Sequence, residues 1–243
     1  MSAKLAKSAI GFAAGFLALA PLASAALYTF QDGLNGYDGT QDNTLYAGDP
    51  GINVGASPTL LARGDHRAIL SFDLTSLAGM TVTGNATLTL TMADNHVNVP
   101  FSVYAISDAN AGWQQGDNTA YGSAGAGEST YEDFSYPNIP WVGGDALEGT
   151  GGYNHTAEAS GVGGAYNTTV DLTLPASLIQ HWIDVANGGL LVNSDTYYTQ
   201  IQFRSSDDTA GRPMLKFTAV PEPGTLSVLG LMASTLILGR RRK

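Results

Sequence analysis

The stretch Ala86-Thr87-Leu88-Thr89-Leu90-Thr91-Met92 alternates apolar and hydroxylated residues without a break. Successive side chains of a β-strand point to opposite faces, so a strict period of two describes a strand with one face buried and one wet. Phe101-Ser102-Val103-Tyr104-Ala105-Ile106 repeats the pattern after Val99. Further strand-like runs are Leu27-Tyr28-Thr29-Phe30, Ala68-Ile69-Leu70-Ser71-Phe72-Asp73-Leu74, Thr81-Val82-Thr83, Thr169-Val170-Asp171-Leu172, Leu190-Leu191-Val192, Ile201-Gln202-Phe203-Arg204 and Met214-Leu215-Lys216-Phe217-Thr218. Stretches rich in glycine, aspartate and asparagine separate them. One helix is expected, where Leu178, Ile179, Trp182, Ile183 and Ala186 form an apolar stripe between Pro175 and a terminating Asn187-Gly188-Gly189. Many short strands, one short helix and many glycine turns predict an all-β domain, a β-sandwich of jelly-roll type. Residues 107–168 carry few aliphatic side chains and predict long loops at one end of it, with short strands around Trp113 and Trp141.

Charge narrows the partners. Residues 26–220 hold five basic against twenty acidic side chains, a net −15. A nucleic-acid binder needs a basic face, and so does a binder of anionic lipid or acidic polysaccharide. The absence of cysteine removes disulfide scaffolds, thiolate zinc sites and cysteine nucleophiles.

The two ends carry targeting signals. Lys4 and Lys7 precede an apolar stretch over residues 10–22, and Ala23-Ser24-Ala25 is a small-x-small cleavage site. This is the layout of a secretory signal peptide over residues 1–25, with the mature chain starting at Ala26. At the other end, residues 225–239 are apolar and uncharged, and Arg240-Arg241-Arg242-Lys243 follows. Counted from Val220, the run spans ~30 Å as a helix, the thickness of a bilayer's hydrocarbon core. The expectation is an N-terminal signal helix and a C-terminal transmembrane helix, with the basic end inside and the acidic domain outside the inner membrane.

The sequence Val220-Pro221-Glu222-Pro223-Gly224, followed by an apolar helix and a basic end, resembles the PEP-CTERM sorting tail. That resemblance covers residues 220–243. It implies export machinery, signal peptidase and an exosortase-type membrane protease as partners. It also implies an inner-membrane-anchored intermediate and delivery to the cell surface or matrix, near exopolysaccharide. Residues 26–219 resemble the DNRLRE-type jelly-roll modules, part of which bind carbohydrate. The similarity rests on Asp42-Asn43-Thr44-Leu45, on Pro50-Gly51-Ile52-Asn53-Val54-Gly55 and on Arg67-Ala68-Ile69-Leu70-Ser71-Phe72-Asp73-Leu74. It continues through Asp171-Leu172-Thr173, Phe203-Arg204-Ser205-Ser206 and Arg212-Pro213-Met214-Leu215.

Candidate sites follow from chemistry. Aromatic faces stack on sugar rings, so Trp113, Trp141, Tyr121, Tyr131, Tyr136 and Tyr153 are the ligand-binding candidates, for a neutral polysaccharide. Arg67, Arg204 and Arg212 are expected to pair with acids such as Asp73, Asp207 or Asp208. Asp32, Asn35, Asp38, Asp42 and Asp49 lie among glycines that permit tight loops and are the candidates for Ca2+, although no EF-hand or nonapeptide repeat is present. His66, His96, His155 and His181 are scattered without ligand-like spacing, and no catalytic motif stands out. The sequence therefore points to a non-enzymatic exported surface protein. The alternatives are a polysaccharide-cleaving enzyme and a structural spacer without ligand.

Overall fold

The structure is a computed structural model that describes residues 24–194 and 199–222. The strands are β1 (Ala26–Phe30), β2 (Thr40–Tyr46), β3 (Ile52–Asn53), β4 (Thr59–Ala62), β5 (His66–Phe72), β6 (Met80–Val82), β7 (Ala86–Thr91) and β8 (Pro100–Ala105). They continue as β9 (Gly122–Ser123), β10 (Asp133–Ser135), β11 (Ile139–Pro140), β12 (Ala159–Val162) and β13 (Thr169–Leu174). The helix α1 (Ala176–Asp184) precedes β14 (Leu190–Ser194), β15 (Ile201–Arg204) and β16 (Met214–Pro221). The chain is all-β with one α-helix among the described residues. The expected signal peptide through Ala23, and the sorting tail from Pro223 onward with its expected membrane helix, lie outside them. Among the described residues no helix is long and apolar enough to cross a membrane.

Two antiparallel sheets dominate. The first runs β1-β16-β7-β13, with β6 also paired to β16, and the second runs β12-β8-β14-β5-β2. The first sheet shows the alternation that the sequence predicts. Ala86, Leu88 and Leu90 of β7, Leu172 and Leu174 of β13, and Leu215, Phe217 and Ala219 of β16 enter the core. Between them, Thr89 faces out and its hydroxyl donates to Asp171 across the strand pair at 2.6 Å. Ala68, Leu70, Phe72, Phe101, Val103, Leu190 and Val192 of the second sheet meet them in the same cluster, with Leu178, Ile179 and Trp182 of α1. Each fully buried Leu or Phe stabilises this core by roughly 1.5–3 kcal/mol.

The second sheet is buried on both faces. Ile69 pairs with Leu191, Leu191 with Tyr104, and Asn43 with Ile69, which sets one row pointing away from the first sheet. Residues 107–153 cover this row. Leu45, Ile69, Ile106, Trp113, Trp141, Ala146, Leu147 and Leu191 form a second core, with Tyr104, Tyr131, Phe134 and Tyr153 packed against it. This corrects the expectation that residues 107–168 are loops at one end. They have few aliphatics, but two tryptophans, two tyrosines and a phenylalanine supply enough apolar area to close a layer.

The helix starts after Pro175, whose carbonyl accepts from the Leu178 and Ile179 amides, and it ends earlier than expected, with Val185 as its C-cap. Asn187 acts beyond the helix. Its Nδ2 donates to the Phe72 carbonyl and its Oδ1 accepts from the Gly189 amide, fastening the chain to the end of β5. Gly189 has φ +84°, and a Cβ there would run into the Leu70 carbonyl oxygen. Gly189→Ala is therefore expected to destabilise the fold by roughly 1–3 kcal/mol, read as a lowered denaturant midpoint at unchanged slope.

Candidate functional site

Two cavities share the indole of Trp182. The first, about 330 Å³, is lined among others by Gln41 of β2, Ser71 at the end of β5, Asp73, Trp113, Trp182 and Asn187. Local sequence explains its frame. Gln41 and Ser71 are register partners on neighbouring strands. The Trp113 indole N–H donates to the Gly188 carbonyl at 2.9 Å, bringing the loop at Gly112 against the exit of α1. Asp73 accepts from the Thr75 amide at 2.9 Å and remains exposed. The Oε1 atom of Gln41 is buried without a hydrogen-bond partner. A buried amide oxygen without a donor costs about 1–3 kcal/mol.

The second cavity, about 320 Å³, is lined by residues that include Asp108, Tyr153, Asn154, Leu178, His181 and Trp182. His181 Nε2 lies 2.8 Å from Asp108 Oδ1, and both side chains are about half exposed. Burial raises the pKa of the Tyr153 phenol, so it stays a hydrogen-bonding O–H at neutral pH. Neither cavity is lined by a lysine or an arginine. The chemistry on offer is amides, hydroxyls, two carboxylates, an imidazole and two indole rings, which suits an uncharged polyhydroxylated ligand.

The sequence-derived candidates disperse. Trp141 is 2% exposed and its indole N–H donates to the Thr130 carbonyl, so it is a core residue. Trp113 is equally buried and is one of the residues lining the first cavity. Tyr153 lines the second cavity, Tyr121 lines a separate cavity of about 280 Å³, and Tyr136 is half-buried next to β10. A single groove lined jointly by Trp113, Trp141 and the loop tyrosines is not formed, because both tryptophans are consumed by the second core. Trp182, which the sequence places on the apolar stripe of a helix, is the aromatic residue that both cavities share.

Arg204 finds an expected partner in Asp208, whereas Arg67 and Arg212 do not pair with the side chains expected. Arg67 pairs with Glu148 and donates to the Arg63 and Gly64 carbonyls, and Asp73 meets no arginine. Arg204 pairs with Asp208 and sits over the Tyr166 ring. Arg212 donates to the backbone carbonyls of Asp208 and Asp32. Asp207 accepts from Gln115 at 2.6 Å. The calcium candidates do not converge. Asp42 is a fully buried strand residue, Asp32 accepts from the Thr40 amide, and Asp38 and Asp49 are exposed. No group of three or more His, Asp or Glu among the described residues is placed to hold a metal ion. His66 stands apart from the other histidines in being nearly fully buried.

Comparison of the chain with protein-family models and with curated proteins gave no match to either.

Proposed function

We propose that this chain is an exported, non-enzymatic surface or matrix protein. In this reading its all-β domain is a jelly-roll module of the DNRLRE type that holds a neutral polysaccharide at the cavities flanking Trp182. The observation that carries the ligand assignment is the first cavity. It combines an aromatic wall, a ring of amide and hydroxyl groups and no basic side chain. An acidic polysaccharide would find no cation there, and the net −15 of the domain repels it. The export assignment rests on the residue pattern at the two ends. The start of β1 at Ala26 fits the expected cleavage after Ala25, since processing there leaves the first strand whole. Val220 and Pro221 close β16, so a sorting motif would begin while the chain is still extended.

Isothermal titration of the full chain with soluble neutral glucans, galactans and mannans tests the ligand. Saturable binding to one of them is expected, weakened about tenfold by Gln41→Ala, as loss of one or two hydrogen bonds predicts. Binding that is unchanged in Gln41→Ala, or confined to acidic polysaccharide, would refute the assignment. A second reading, a polysaccharide-cleaving enzyme, is favoured by the Asp108–His181 pair beside the same indole. Release of reducing ends from a neutral glycan that is abolished by Asp108→Asn would decide for it.

A further inference from the structure

A separate cluster lies where β2 and β5 meet at the hairpin of residues 63–66. Arg63 grips the Asp65 carboxylate through Nε and Nη2, at 2.7 and 2.8 Å. The guanidinium hydrogen bonds hold that carboxyl well below its ordinary pKa, so it is ionised and can only accept. Nδ1 of His66 lies 2.7 Å from the same carboxylate and must therefore carry the proton. His66 is 3% exposed, and burial lowers its pKa, which keeps the ring neutral. Its Nε2 is then a lone pair. It faces the Tyr121 hydroxyl at 3.2 Å, so the phenol donates to the imidazole. Tyr46 stacks on the His66 ring at 4.3 Å between centroids and meets Tyr121 edge-on at 5.4 Å. The result is a phenol, 58% exposed to solvent, whose proton already points at a buried, oriented base.

A phenol that loses an electron becomes a strong acid. Oxidation is therefore much easier when a base takes the proton as the electron leaves. We propose that Tyr121 is a preferred site of one-electron oxidation and ring-to-ring cross-linking, with its phenol proton passing to Nε2 of His66. The oxidant is hydrogen peroxide acting through a peroxidase. Two phenols, one from each of two copies of this chain, each give up one electron and one proton. One H2O2 takes up both pairs to form two waters, and the two ring radicals join through a carbon–carbon bond.

The molecule contains its own control. Tyr166 is 56% exposed, but its neighbour is a cation: Arg204 Nη2 donates to the Tyr166 hydroxyl at 3.2 Å. Exposure is nearly the same, and among the described residues no proton acceptor meets the hydroxyl. Treatment of the full chain with hydrogen peroxide and horseradish peroxidase, followed by peptide mapping, is expected to find cross-links at Tyr121 severalfold more often than at Tyr166. Tyr121→Phe should remove most dityrosine fluorescence and covalent dimer, and Tyr166→Phe should leave both in place. His66→Gln and Asp65→Ala should each bring Tyr121 down to the level of Tyr166. The Asp65 variant serves where loss of the buried ring prevents folding. Equal modification of the two tyrosines in the native protein, or a preference that persists in folded Asp65→Ala, would overturn the proposal.

Discussion

Trp141→Ala is expected to lower the stability of this protein by about 3–5 kcal/mol, the range for truncating a large buried aromatic. A ligand-stacking tryptophan on a loop would instead lose binding and leave the melting temperature in place. The structure puts Trp141 in the second core at 2% exposure, edge-on to Phe134 at 5.5 Å, with its indole N–H on the Thr130 carbonyl at 2.8 Å. Truncation opens a cavity, removes the aromatic pair and leaves the Thr130 carbonyl without its donor, three losses of the same sign. For a domain of this size the thermal midpoint should fall by about 6–20 °C. A Trp141→Ala variant that melts with the native protein would show that residues 107–153 do not form a core layer. Trp141→Phe, which keeps the apolar bulk but not the donor, should lose a smaller share.

The second large effect concerns Asp42. It sits in β2 opposite Leu70, fully buried, with Oδ2 accepting from the Ser206 amide at 2.6 Å and Oδ1 without a partner. Burial pushes its pKa up to about 8, with Asp207 and Asp32 adding to the shift. In the unfolded chain the same group titrates near ~3.9. Between those values the folded protein binds a proton that the unfolded chain has released, so stability falls as pH rises. The penalty is absent below about pH 4, grows through the neutral range and is complete above about pH 8. Four units of separation correspond to an upper bound on the order of 5 kcal/mol. His66 acts in the opposite sense, because its lowered pKa makes folding more favourable as pH rises toward the unfolded value, where the gain is complete. The clean observable is therefore the difference between native protein and Asp42→Asn, whose amide mimics the protonated acid. The variant should come closest to the native protein at about pH 4 and exceed it in stability by a growing margin up to pH 8. A difference that stays flat across that interval would show that Asp42 is not held protonated.

These two residues mark what the chain declares in its sequence and what it conceals. The first sheet was readable because water wets one of its faces. Ala86-Thr87-Leu88-Thr89-Leu90 carries that asymmetry residue by residue. The second sheet carries a different signal, the unbroken apolar triplets Ala68-Ile69-Leu70 and Leu190-Leu191-Val192, which mean burial on both faces. That signal requires a covering layer, and the aromatic residues scattered through residues 107–153 supply it. β2 is harder to read, because Thr40-Gln41-Asp42-Asn43-Thr44 looks like a turn. Its polar side chains are buried only because distant groups meet them, as when Asn43 Nδ2 reaches Ser129 at 3.0 Å. The cavities at Trp182 gather residues from 39 to 187, a closure that no local periodicity encodes.

The pairing of β16 has a consequence for the order of events in time. It is the last described strand and, among the described residues, the only partner of β1, the first, with Ala26 opposite Ala219. A chain released N-terminus first keeps β1 waiting until residue 219 has emerged. At synthesis rates of 5–20 residues per second, that is a delay of about 10–40 s. Closure of the first sheet is thus deferred until β16 has been made. The second sheet has no such wait, since its last strand to be made, β14, ends at Ser194.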